Sequence, residues 1–297
     1  MILTRQCKFI LAGVSILLSL VVGINIGVIV YNRKSKSSTI EIQAYKILEN
    51  NPLIDGHNDL AILIRENFQN KTNDLDLYNM AQYHLVEYTP SPTDITRLRQ
   101  RQVGGQFWSI YTDCQHQGKD ATLSFMEQID LMNIIITEYS DVFQLAKTAE
   151  EVRQAFNAKR IVSLLNIGGG QAIEGSFSIL RLFYQIVDLS HVSTQTTIDP
   201  LNISQSPVIF SHSAAYSLCN HTRNVQDDVL ELVKRNHGIV MVTFAPYFIK
   251  CHSEDPAAIA DVAAHINYIR NIAGIDNVGI GSDFDGIVVT PKDLEDV

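Results

Sequence analysis

The sequence lacks low-complexity tracts and carries little charge, 19% of its 297 residues against 46% apolar, which excludes a disordered chain and leaves room for one large core or two modest ones. Positive charge is scarce where a polyanion would need it. Residues 1–40 hold five of the 23 basic residues (Arg5, Lys8, Arg33, Lys34, Lys36) and no acid, so the remainder has 18 basic against 32 acidic residues, a net of −14. That balance excludes nucleic acid as the expected partner. Cysteine is rare as well. Of the four, Cys7 precedes an apolar segment and leaves Cys114, Cys219 and Cys251 beyond it, so in a disulfide-permissive compartment one thiol has no intramolecular partner.

What is present begins with that apolar segment. Phe9 to Tyr31 is interrupted only by Ser15, Ser19 and Asn25 among polar residues, and at about 1.5 Å per residue it is long enough to cross a hydrocarbon core of about 30 Å. No small-residue cleavage site follows, so residues 1–36 read as a cytosolic tip and signal-anchor helix, with a cleaved signal peptide as the alternative. Flanking charge is nearly balanced and does not orient the segment. Three N-x-[ST] acceptors, at Asn70, Asn202 and Asn220, do: such sites are used only in the secretory lumen, which places the following domain in the lumen or outside the cell, attached to the membrane. Residues 37–50 read as a linker and a helix leading into the domain, which starts at residue 51.

The stretch LIDGHNDL, Leu53 to Leu60, is an apolar strand that puts Asp55, His57 and Asp59 on one face, since strand side chains alternate. Either the strand is exposed or a cation faces it. Further strand patterns at 53–58, 104–111, 161–167, 186–190, 207–211, 239–244 and 278–282 alternate with helical patterns that include 122–138, 149–156, 176–185, 225–236 and 257–273. Several of the strands are β-branched and unalternating, as parallel strands buried on both faces are. Repeated βα units predict a barrel or a doubly wound sheet.

Polar residues gather where those strands stop: IVDLSH at His191, PVIFSH at His212 and VGIGSDFDG at Asp283 and Asp285. In a parallel barrel these ends share one mouth. Two histidines, an H-x-D pair and a terminal aspartate are the ligand types of a zinc hydrolase, whereas Asp55 and Asp285 read as residues that cap turns or orient ligands. His84, His116, His237, His252 and His265 show no such convergence and read as surface or packing residues.

Taken together, PLIDGHNDL, VGGQFWSIYTDC, DLSHVS, PVIFSHSAAYSLC, TRNVQDDVLELVK and GSDFDG resemble the membrane dipeptidase (renal dipeptidase) family from about residue 45 onward. The resemblance implies a (β/α)8 barrel with two bridged zinc ions that hydrolyses dipeptides outside the cell, cysteinylglycine and leukotriene D4 among them, usually as a homodimer. It implies that His57 and Asp59 bind one zinc and His191 and His212 the other. Arg223 would receive the substrate carboxylate, a bidentate task suited to a guanidinium, and Asp283 would be the catalytic acid/base. It also implies a Cys219–Cys251 disulfide.

Two departures accompany the resemblance. The family's bridging glutamate falls at Gly168 in NIGGGQ, which has no ligand atom, and Gln171 stands where a histidine is usual, so a single or weakly held zinc is expected. Second, SFSILRLFYQIVDLSH passes from a helical to a strand pattern at Gln185–Ile186 with no Gly, Pro, Asn or Asp to turn the chain, although αβ loops take about 2 to 6 residues. Compared with the family, several tens of residues are missing there, including one barrel strand, a substrate-contacting histidine and the usual partner of Cys114. The family's last helices are missing after DLEDV. The expected fold over 51–297 is therefore a truncated metallo-dipeptidase barrel. The alternative function is a catalytically impaired relative acting as a binding ectodomain.

Overall fold

The structure, a computed structural model, describes residues 39–297 except 74, 87–89, 119, 170–171, 173–175, 177, 180–185, 205, 252 and 254. The apolar segment 9–31 and most of the helix expected over 176–185 lie outside the described residues. Among those described, no helix is long and apolar enough to cross a membrane. The chain divides into two units, Met1–Asn51 and Pro52–Val297. In the first, residues 39–48 form a helix, α1, where a leading helix was expected.

The second unit is a wholly parallel sheet with helices between its strands. The strands are β1 (Leu53–Asp55), β2 (Val103–Tyr111), β3 (Phe143–Leu145), β4 (Ile161–Gly168), β5 (Ile186–Val187), β6 (Ile209–Ser213), β7 (Ile239–Val242) and β8 (Val278–Ile280). Seven follow one path, β3-β4-β2-β1-β8-β7-β6, and the two-residue β5 pairs β4 beside β3. Among the described residues, no continuous ladder closes the sheet into a barrel. Between β4 and β6 the described pairing is β5 on β4 and an isolated bridge from Asp188 to Ile209, the place where the sequence lacks turn residues and the resemblance lacks a strand. β3 was not expected; at three residues it falls below the length at which an apolar run reads as a strand. β5 is two residues rather than five.

The helices are α2 (Leu60–Phe68), α3 (Ile95–Gln100), α4 (Ala121–Glu138), α5 (Ala149–Asn157), α6 (Thr194–Ile203), α7 (Asp227–Asn236), the single turn α8 (Pro246–Ile249) and α9 (Ile259–Ala273). Local chemistry fixes several of their ends. Thr148 and Glu151 form a reciprocal capping box on α5. α7 opens with Asp227 and Asp228 and ends with Lys234 and Arg235, both favourable to the helix dipole.

The central strands β2 and β4 pair from Gly105–Val162 to Tyr111–Gly168 and are buried almost throughout. Their outer residues Trp108, Ile110, Ile161 and Leu165 share a core cluster with Phe125, Met132 and Ile135 of α4. A second cluster joins Val229, Leu230 and Val233 of α7 and Ile269 of α9 to Phe210, Val240 and Val242. The other face of β2 and β4 carries Phe107 and Leu164, which cluster with Ile209 and Met241 from the far end of the sheet path. The sheet is therefore curled. Glycine makes the curl possible at Gly281, where a β-carbon would overlap the carbonyl of Ser211.

Candidate active site

The curl answers the question posed by Leu53 to Leu60. β1 ends at Asp55, and the three acidic or basic residues then take different tasks. Asp55 is buried and accepts hydrogen bonds from Ser282 N at 2.7 Å, Ser282 Oγ at 2.6 Å and Gln106 Nε2 at 3.2 Å, tying β8 and β2 to β1. Its burial raises its pKa. Asn58 caps α2, its Oδ1 accepting from Leu60 N at 2.9 Å, and its Nδ2 donates to Asp285 at 2.6 Å. That leaves Asp59, the N-cap residue of α2, with no capping hydrogen bond, so its carboxylate is free to face His57.

His57 is buried, with Nε2 3.4 Å from Asp59 Oδ2 and 3.8 Å from Asp283 Oδ1. Burial works against a proton on this ring, but the charges of Asp59, Asp283 and Asp188 outweigh it and raise its pKa to about 9. Asp283 follows β8 in the left-handed region, φ 65°, a conformation uncommon outside glycine that Asp tolerates better than most. Burial, reinforced by Asp59 and Asp55 and opposed by His57 and Arg223, pushes it up to about 7. The two carboxylates come close because residue 286 is glycine: a β-carbon there would overlap Asp283 Oδ1 and Asp59 Oδ2. Asp285 points away from this cluster, held by Asn58 and by Ser91 Oγ at 2.7 Å, and its burial raises it to about 6.

Across the cleft, His191 Nε2 and His212 Nε2 lie 2.8 Å apart, and Arg223 Nη2 is 2.9 Å from His212 Nε2. Burial holds His212 well below the usual histidine range. The Arg223 guanidinium lies over the Phe248 ring at 5.2 Å, and its buried Nη1 has no hydrogen-bond partner. The structure thus brings His57, Asp59, His191, His212, Arg223 and Asp283 around one cleft of about 450 Å³, also lined by Tyr111, Gly168, Tyr247 and Phe248.

Whether a cation suits these residues follows from their donor atoms. His57, Asp59 and Asp283 each offer one ligand atom within 4.8 Å of the others, as do His57, Asp188 and His212. His191 and His212 add two further imidazole nitrogens, their hydrogen-bonded Nε2 atoms 2.8 Å apart. Such nitrogen and carboxylate donors fit a divalent metal cation. The backbone at Gly168 reaches the cleft, and a β-carbon there would sit in ordinary contact with its nearest neighbour, Ile110 O, at 3.7 Å.

Asp188, Ser109, Asn166 and Ser211, which lie directly behind the histidines, were not singled out from the sequence. Asp188 could have been: IVDLSH puts an acid in an apolar run three residues before a site histidine, the same signal that LIDGHNDL carries. Cys219 and Cys251 are disulfide-bonded with Cα atoms 5.3 Å apart, and Cys114 is free and exposed. Asn202 and Asn220 are exposed and Asn70 is half-buried.

Comparison with known proteins bears on all of this. The sequence profile of the family described as membrane dipeptidase (peptidase family M19) matches residues 41–186 and 185–297. An uncharacterized dipeptidase of Schizosaccharomyces pombe is 37% identical over 318 residues, covering 87% of this chain and 75% of its own. Dipeptidase aclJ of Aspergillus oryzae is 35% identical, covering 85% and 71%, and Dipeptidase 3 of Mus musculus 34%, covering 86% and 59%. Among solved structures, a metallo peptidase from Rhodobacter sphaeroides liganded with a phosphinate mimic of L-Ala-D-Ala superposes with a TM-score of 0.71 at 19% identity, over 82% of this chain and 89% of that one. The dipeptidase AC, a metallo peptidase of family M19, does so with a TM-score of 0.70 at 21% identity, over 82% and 88%. At that identity the structures speak for the fold. The two profile segments meet at Gln185–Ile186, where the sequence has no Gly, Pro, Asn or Asp, and between them span residues 41–297, so the chain belongs to the membrane dipeptidase family, peptidase family M19, a family of metallo-dipeptidase hydrolases.

Proposed function

We propose that this chain hydrolyses dipeptides on the lumenal or extracellular side of a membrane, using zinc held by His57 and Asp59 on one wall of the cleft and by His191 and His212 on the other. The observation that carries the reading is the convergence of these four residues with an arginine whose Nη1 is buried and unpartnered on a single cleft. A bound cation would supply Lewis-acid charge at the carbonyl and an acidified water. Arg223, stacked on Phe248, pairs with the terminal carboxylate and fixes the register of the substrate. Asp283, buried at the end of β8 and facing His57 Nε2 at 3.8 Å, is placed to hold or pass a proton as a general acid/base does. In the proposal the sheet is a (β/α)8-type barrel that has lost a strand between β4 and β6, and the protein assembles as the family's homodimer.

The test is hydrolysis of a simple dipeptide by the purified, zinc-supplemented chain. Turnover that falls about 10²- to 10⁴-fold in Asp283→Asn supports the reading; no turnover at saturating zinc overturns it. One observation favours a second reading, a binding ectodomain without activity: Gly168 stands where the family carries its bridging glutamate. Dipeptide binding by calorimetry without turnover would establish that reading instead. The exposed Asn202 and Asn220 and the Cys219–Cys251 bond support the lumenal side, with residues 9–31 as the anchor. Glycosidase treatment should then increase gel mobility, and carbonate washing should leave the protein in the membrane fraction.

A further inference from the structure

Behind the two histidines whose Nε2 atoms face the cleft lies a hydrogen-bond network whose proton directions can be followed group by group. Asp188 is buried, and its carboxylate meets four donors. Oδ1 accepts from Ser190 N at 3.1 Å and Ser211 N at 3.0 Å. Oδ2 accepts from Asn166 Nδ2 at 3.0 Å and from Ser211 Oγ at 2.5 Å. A carboxylate accepts at about four lone-pair positions, and three of these meet groups that can only donate, the two backbone N–H groups and Asn166 Nδ2. The fourth is the nearest acceptor to the Ser211 hydroxyl, closer at 2.5 Å than His212 Nδ1 at 2.7 Å, His57 Nδ1 at 3.0 Å or Ser190 Oγ at 3.5 Å, and takes its single proton.

With its proton committed, Ser211 Oγ can only accept from the two ring nitrogens that touch it, His212 Nδ1 at 2.7 Å and His57 Nδ1 at 3.0 Å. Ser109 Oγ, 2.9 Å from His57 Nδ1, is in the same position. Its proton goes to Asn166 Oδ1 at 3.0 Å, and Asn166 is oriented that way because its Nδ2 donates to Asp188. An independent contact agrees on His212: Arg223 Nη2, which can only donate, lies 2.9 Å from His212 Nε2, so that nitrogen carries a lone pair and the ring proton sits on Nδ1.

We infer that Asp188, acting through Ser211 and Asn166, is a positioning residue that keeps a proton on Nδ1 of both His57 and His212, so that Nε2 is the nitrogen each ring offers to the cleft: His212 as the Nδ1–H tautomer, and His57 once a cation displaces its Nε2 proton. This rests on the proposed reading of the two histidines as metal ligands, and it makes one carboxylate responsible for the tautomer of a ligand on each wall. Asp188→Asn keeps the shape and reverses the network. The Oδ1 position must stay an acceptor for two backbone N–H groups, so the new amide nitrogen takes the Oδ2 position and donates to Ser211 and to a flipped Asn166. The Ser211 and Ser109 protons then turn toward the ring Nδ1 atoms, and the histidine protons move to Nε2.

The experiment is ¹⁵N–¹H correlation spectroscopy on histidine-labelled protein, alongside zinc titration of wild type and Asp188→Asn. In metal-free wild type at a pH where His212 is neutral, the proton is expected on Nδ1. In Asp188→Asn, with a melting transition close to that of wild type, it is expected on Nε2, and zinc should bind about 10- to 100-fold more weakly. An Nε2–H His212 in the wild type overturns the inference, as does a folded Asp188→Asn with unchanged tautomers and unchanged zinc affinity. If Asp188→Asn does not fold, Ser211→Ala, which leaves Asp188 in place and removes only the hub, gives the same readout: loss of the Nδ1–H preference at His212 supports the inference and its retention overturns it. The tautomer is read without metal or substrate. A wild type that binds no zinc would therefore overturn the metal reading and still leave this measurement decisive.

Discussion

At the scale of single residues, the cleft is organised by side chains that were legible because their types clash with their surroundings. His57 and Asp59 in an apolar run, and Asp283 at the end of another, could be picked out because a buried ionisable group needs a partner. The residues that orient them were not legible, since Ser109, Asn166 and Ser211 are ordinary polar residues whose importance depends on register between strands far apart in the chain. Gly168 is the informative absence. Its backbone is not left-handed and a β-carbon has clearance, so Gly168→Glu should fold and offer a carboxylate to the cleft. Zinc per chain, measured by elemental analysis, is expected to rise from roughly one toward two, because a bridging carboxylate offsets the repulsion between two dications. Unchanged occupancy would show that position 168 does not reach both walls. Arg223→Lys should leave zinc content alone but lower kcat/KM by about 10- to 100-fold, the effect of losing one charge-assisted hydrogen bond of roughly 1.5 to 3 kcal/mol. Steady-state kinetics on a dipeptide and on its C-terminal amide check this; the amide should be affected less.

At the scale of elements, long segments with sustained periodicity were read well: α4, α5, α7 and α9 lie within two residues of their expected bounds. Short pieces were not. β3 has three residues, and nothing in FQL distinguishes it locally from a loop; its pairing with Ile161 to Ser163 of β4 makes it a strand. α2 was not among the expected helices: Asn58, one residue before its N-cap position, satisfies its first N–H, so its start signal is hidden inside the site motif. The loops around the cleft rim are fastened by the Cys219–Cys251 bond, which encloses 32 residues of sequence separation and runs from the end of the β6 region to the turn after α8. Chain entropy sets its expected contribution at about 3 to 4 kcal/mol. Cys219→Ala with Cys251→Ala should therefore shift the urea midpoint down, with a slope equal to or steeper than wild type because the unfolded chain becomes more expanded. A midpoint that does not move would mean that the loop is held by its other contacts, such as Asn224 Nδ2 to Cys219 O and Phe248 O, both at 2.8 Å.

At the scale of the whole molecule, the buried charges around His57 make the stability of the metal-free protein depend on pH in a direction that can be derived. The folded pKa of His57 is about 9, above the ordinary value of 6.5, so the native state binds more protons than the unfolded chain between those values. Its stabilising contribution is complete below about 6.5 and is lost as the pH rises through 9. Asp283, raised to about 7, and Asp285, raised to about 6, act in the same sense at lower pH: their native forms hold protons the unfolded chain has released, so stability declines as each ionises. His212, held low by burial, opposes them below 6.5, because there the unfolded chain binds the extra proton. Above pH 7 the His57 effect adds to what remains of the Asp283 effect, which has the same sign. The melting temperature of metal-free protein should fall steadily from pH 7 to 9, with a slope of up to about 1.4 kcal/mol of stability per pH unit for one linked proton. Zinc should abolish that slope. A ligand histidine has already given up its Nε2 proton to bind, so uptake of the metal at pH 7 should release close to one proton from His57, detectable as a buffer-dependent enthalpy in calorimetry. Parallel thermal melts with chelator and with zinc distinguish the outcomes. A flat profile in chelator would mean that the Asp59 and Asp283 charges do not hold a proton on His57, and that the carboxylate wall of the cleft is balanced in some other way.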